Sequence, residues 1–177
     1  MQRKNHKNKN GLSLLGFNTS DYLKLCKVIS LSDYKTFTLQ KFFEDRPTSN
    51  YIIIRHDVDY DVDAAIKIAK IELDYQINAT YYLRLNKKTT IEKIKVLMGM
   101  VSEIGLHYDS LAAGKGNIHK AIEIFEQQLN YLNLVCNVRT ISAHGSATSN
   151  FDNKNILQFI KLNTYNLTGD AMCSINF

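Results

Sequence analysis

At 177 residues, with 45% hydrophobic and 22% charged side chains, the chain has the size and make-up of one globular domain with a core of its own. Its net charge of +5 would suit a nucleic-acid binder, but Arg3, Lys4, Lys7 and Lys9 supply four positive charges from the first eleven residues. The remainder is near neutrality, so 1–15 reads as a basic disordered tail, and nucleic acid is not an expected partner. No apolar run is long enough for a signal peptide or a membrane span, which makes the cytoplasm the expected compartment. Cys26, Cys136 and Cys173 are odd in number and show no CxxC spacing. They read as small buried hydrophobes rather than as a disulfide framework or a cysteine metal site.

Past the tail, Thr19 or Ser20 can cap a helix running to about Ile29, with Tyr22, Leu23, Cys26 and Ile29 on one face. A short strand is expected over 33–38, a helix over 39–45, and a loop over 46–50 around Pro47, the chain's only proline. Tyr51–His56 is a β-branched and aromatic run suited to a strand buried on both faces. From Asp61 the period lengthens. Val62, Ala65, Ile66, Ala69 and Leu73 form a helical stripe, opposite Lys67, Lys70 and Asp74. A strand over 79–83 then precedes a helix capped by Thr90, with Ile91, Ile94, Met98 and Val101 as its stripe. The order continues with a strand over 103–106, a helix over 118–132 and a strand over 138–143. A helix over 153–161 and a strand over 163–167 close it. Strand and helix alternate with short connections, so the expected fold class is α/β, a parallel sheet covered by helices in a single domain spanning 16–177.

The candidate site comes from a coincidence of positions. Asp57 and Asp59, Arg84, His107 and His144 are far apart in the sequence, yet each follows on an expected strand. In a parallel sheet those strand ends emerge together, so the groups converge. Two imidazoles and a carboxylate suit a borderline divalent cation such as zinc, and a second carboxylate nearby is what hydrolysis needs to deprotonate water. His6 in the tail and His119 at a helix start read as structural. His56 could support the site or simply pack.

The run IIIRHDVDYDVDAAIKIAKIELDYQINATYYLR, with EIGLHYDSL and ISAHGSATS after it, resembles the polysaccharide deacetylase (NodB-homology) superfamily, in its divergent RHDVD branch of surface-polysaccharide clusters. The resemblance covers about 20–177. It implies an incomplete (β/α) barrel of the seven-stranded NodB type, here C-terminally shortened, and a divalent metal, expected to be zinc. It implies removal of an acetyl group from an N-acylated sugar or glycan precursor. It assigns Asp57 as general base and Asp59 as metal ligand. His107 matches the first histidine of the family's second motif, Leu111 stands where the second would fall, and His144 is the candidate replacement. Arg84 or main-chain amides near Tyr108 would bind substrate and the developing oxyanion. The family's arginine–proline–tyrosine motif is absent. The alternative is a catalytically impaired relative serving as a binding or scaffold module.

Overall fold

The computed structural model describes residues 18–145 and 149–175; the expected tail over 1–15 lies outside them. Helix α1 (Thr19–Ser30) is capped by Asn18, one residue before the expected cap, because Asn18 and Asp21 satisfy each other's main-chain amides in a capping box. Strand β1 (Lys35–Phe37) and helix α2 (Leu39–Asp45) follow. The expected strand over 51–56 is present as two pieces, β2 (Tyr51–Ile53) and β3 (Arg55–Val58). They change partner at Ile54: β2 pairs in parallel with β1, and β3 pairs in parallel with β4 (Thr80–Leu83). The run is half-buried on both sides. Ile52 and Ile54 pack beneath α1 on one side, and Ile53 meets the cluster of Leu39, Tyr82 and Ala171 on the other.

Helix α3 (Val62–Asp74) lies between β3 and β4, and α4 (Ile91–Met98) leads to β5 (Glu103–Tyr108). The short α5 (Ser110–Ala113), which has no counterpart in the sequence reading, precedes α6 (Ile118–Asn133) and β6 (Thr140–Ala143). Two segments correct the expectation. The helix over 153–161 is a 3-10 turn at Asn153–Gln158. The strand over 163–167 is a second 3-10 turn at Leu162–Tyr165, ended by Asn166 in a left-handed conformation. With Asn at 163 and 166 and only Tyr165 and Leu167 apolar, these five positions hold too little to make a strand. The last strand, β7 (Gly169–Asp170), comes two residues later.

The main sheet is five-stranded, wholly parallel and in sequential order β3-β4-β5-β6-β7. Sequential order puts every crossover on the same side. Accordingly Leu83, Leu106, Tyr108 and Ile141 are buried with α3, α4 and α6 in one large cluster. The opposite face carries Thr80, Tyr82, Glu103, His107, Thr140 and Ser142, all buried. It is a polar interior, and hydrogen bonds account for it. Glu103 accepts from Thr80 Oγ1 at 2.9 Å, from the Gln40 amide of α2 at 2.9 Å and from Thr140 Oγ1, while Tyr82 Oη and Thr140 Oγ1 are 2.8 Å apart. Gly105 is required there: a Cβ would sit 2.6 Å from the Thr140 carbonyl oxygen and against the Tyr82 ring. The α/β class and parallel sheet are as expected. Closure into a barrel is not seen among the described residues, whose second sheet is the pair β1-β2. No helix among them is long and apolar enough to cross a membrane. Cys26 and Cys136 are buried free thiols, whereas Cys173 is exposed.

Candidate metal centre

Each ligand candidate is placed by a strand terminus. Asp59 leaves β3 one residue past its end, where Asn86 Nδ2 holds its carbonyl oxygen at 3.1 Å. His107 lies inside β5 rather than after it, because the strand runs two residues beyond the expected end. Its alternation points the ring to the polar face. His144 follows β6 directly, its amide donating to the Tyr108 carbonyl at 2.8 Å.

These three residues are brought together and could hold a metal ion, with one ligand atom from each inside a 4.8 Å circle. Asp59 Oδ1 is 3.0 Å from His144 Nδ1 and 3.5 Å from His107 Nε2, and the two imidazole nitrogens are 3.2 Å apart. Donors about 2.0–2.1 Å from a tetrahedral zinc are about 3.3 Å from one another, so the triangle has the dimensions of one face of such a site. Two further observations fit a cation. Asp59 Oδ1 is buried without a hydrogen-bond partner, despite the nearby ring nitrogen. His107 Nδ1 is 3.0 Å from the Ser142 carbonyl oxygen, which can only accept. The Nδ1 position must therefore carry the proton, leaving the Nε2 lone pair facing the triangle, as a metal-binding histidine requires. Burial holds the His107 pKa below the ordinary histidine value, against the opposing pull of the Asp57 and Asp59 carboxylates, so the ring is neutral at physiological pH.

Asp57 sits two residues before Asp59 on the same side of β3, on the polar face. Its Oδ2 accepts from Arg55 Nη2 at 3.1 Å, and Arg55 in turn reaches the Ala171 carbonyl at 3.4 Å. Arg84 is anchored by Asp109, with Nε and Nη2 2.9 and 2.7 Å from its Oδ2. The Tyr108 ring points into the helix layer, fully buried against Phe125, and its hydroxyl donates to Asp170 Oδ2 at 3.0 Å. Only its main chain lies on the rim. Leu111 is buried in the core. His56 faces the helix layer, where its Nε2 meets Glu72 Oε1 at 2.6 Å. His119 is exposed at the start of α6.

Sequence reasoning misses Asn153. It is 1% exposed and uses both ends of its amide: Nδ2 donates to the His144 carbonyl at 2.7 Å, and Oδ1 accepts the Ala112 amide of α5 at 2.9 Å. It clamps the ligand's main chain to a helix that has no cap of its own. Asn153→Ala is expected to lower zinc affinity about tenfold, as loss of a group that orients a ligand does. Competition with a chromophoric chelator measures this, beside a melt of the metal-free protein. Lost stability with unchanged affinity would make Asn153 a support of the fold alone.

The chain matches no protein-family model, no curated protein and no solved structure.

Proposed function

We propose that this chain is a zinc-dependent hydrolase that removes an acetyl group from an N-acylated sugar or glycan precursor, acting in the cytoplasm during surface-polysaccharide synthesis. The observation that carries the reading is the triangle of Asp59, His107 and His144 with a further carboxylate, Asp57, two residues before Asp59 on the same face of β3. A divalent cation held by the triangle would supply electrophilic polarisation of the amide carbonyl and of a water molecule. Asp57 accepts the proton which that water gives up as its oxygen bonds to the carbonyl carbon. The C–N bond then breaks, and the proton passes to the departing amine nitrogen. Arg55 holds Asp57 through a single oxygen, Oδ2, and so fixes where the other oxygen can act.

A structural metal is closed in by protein ligands, whereas a catalytic one keeps a position open. Three donors and an Asp59 side chain 35% exposed favour the catalytic case. Leu111, standing where the resemblance puts a second histidine, favours the alternative of a metal-holding module without turnover. One experiment separates them. Zinc-loaded protein is expected to release acetate from N-acetylglucosamine oligomers, with kcat about 100-fold or more lower in Asp57→Asn at unchanged zinc content. Equal turnover in both proteins would remove Asp57 from the mechanism, and bound zinc without any turnover would support the non-catalytic reading.

A further inference from the structure

Tyr60 directly follows Asp59 and leaves 67% of its surface in water. An exposed ring normally moves freely, but this one is held. The Arg84 guanidinium lies 5.8 Å from the ring centroid, with Nη1 3.5 Å from the phenol oxygen. Arg84 is itself fixed by Asp109, whose other oxygen accepts from Gln128 Nε2 at 3.2 Å. The main chain is pinned on both sides, by Asn86 on the Asp59 carbonyl and by Asp61, which caps α3 through the Ala64 amide at 3.1 Å. The ring borders a cleft of about 300 Å³ that runs from Asp57, Asp59 and Asp61 along the helix side of β3 to Ala64, Ala65 and Ile68 of α3. An aromatic surface held rigid in water beside a polar site is suited to a ligand with an apolar face.

Resting on the reading of this site as one for N-acylated sugars, we propose that Tyr60 is the platform that positions the sugar ring. The C–H groups on one face of a pyranose form an apolar patch that stacks on the phenol. Arg84 Nη1, the guanidinium nitrogen not engaged by Asp109, donates to a hydroxyl at the ring's edge. Arg84 is already paired with Asp109, so it brings no uncompensated positive charge to hold an anionic group such as a sugar phosphate. Tyr60 touches the substrate without taking part in bond making. It acts on binding and orientation.

The test uses the zinc-loaded full chain with the tetramer of N-acetylglucosamine as probe, comparing wild type, Tyr60→Ala and Tyr60→Phe. Tyr60→Ala is expected to raise KM, and Kd by calorimetry, about tenfold, with a smaller change in kcat. Tyr60→Phe keeps the stacking face and is expected to stay within about twofold of wild type. A Tyr60→Ala protein with wild-type KM and Kd overturns the platform and leaves the hydrolase reading standing. If wild type neither binds nor deacetylates the tetramer, the sugar reading falls and the platform with it. A Tyr60→Ala protein that loses zinc overturns the platform by assigning Tyr60 to the metal loop.

Discussion

His107→Ala is expected to lose its zinc. Wild-type protein should carry about one zinc per chain after dialysis, and the variant's affinity should fall by more than the 10- to 100-fold typical of losing a partner that merely orients a ligand. His107 supplies one corner of a three-donor triangle and is only 3% exposed, so no solvent-held group can take its place without a cavity opening. Asp59 and His144 alone leave two donors 3.0 Å apart, which is too few for a stable zinc site. His144→Ala should behave alike, and His119→Ala, on the exposed first turn of α6, should keep its metal. Metal analysis by mass spectrometry reads the result, with circular dichroism of the metal-free proteins showing that the fold persists. A His107→Ala protein that binds zinc as tightly as wild type would place the ion elsewhere and end the case for this centre.

The same variants bear on pH. Burial depresses the His107 pKa in the folded chain, so between that value and the ordinary histidine range the unfolded chain binds the extra proton. The contribution of this residue to stability is therefore complete above about pH 6.5 and declines as pH falls from there toward the folded value.

Asp59, His107 and His144 were legible because strand ends are legible. A run such as Tyr51–Ile54 that stops at charged residues marks where a parallel sheet meets solvent, and three such stops put three donors on one rim. An error of two residues at the end of β5 did no harm, since His107 keeps its face by alternation. The switch at Ile54 was not legible. Nothing in YIIIRH distinguishes a strand with one set of partners from one that passes from β1 to β4, because pairing is decided by residues 16 positions away on one side and 25 on the other. Nor was Asn153, since a polar residue beside Asp152 and Lys154 reads as surface until the His144 carbonyl is seen to need a donor. The described residues hold seven strands, but in two separate parallel sheets of two and five, so the closed barrel that the resemblance implies is not seen among them.

Helix α3 holds the plainest departure from the pattern, and with it the second large effect. The apolar stripe ran through Leu73, yet Leu73 is 52% exposed and its neighbour Glu72 is 2% exposed. Hydrophobicity alone cannot place a carboxylate inside; its partners do. Glu72 Oε2 accepts from Tyr81 Oη at 2.6 Å, and Oε1 accepts from Tyr22 Oη and meets His56 Nε2 at 2.6 Å. One side chain thus joins α1, α3, β3 and β4. Burial, and then the Glu72 carboxylate beside them, push both phenols far above the ordinary tyrosine range, so they remain donors wherever the protein is folded. Glu72→Ala takes the acceptor from the Tyr81 hydroxyl and opens a space beside Tyr22 and His56, which keep their own contact at 3.3 Å. The expected loss is about 3–5 kcal/mol, a large part of the 5–15 kcal/mol that holds a domain of this kind together. In a chain of this size it corresponds to a melting point lower by about 10 °C. Glu72→Gln keeps the shape and one acceptor and should lose about 1–2 kcal/mol. Urea and thermal unfolding of the three proteins measure both. A Glu72→Ala variant within about 1 kcal/mol of wild type would mean that the cluster is satisfied by water, and that α1 is held in place by its apolar contacts with Ile52, Ile54 and Ile77.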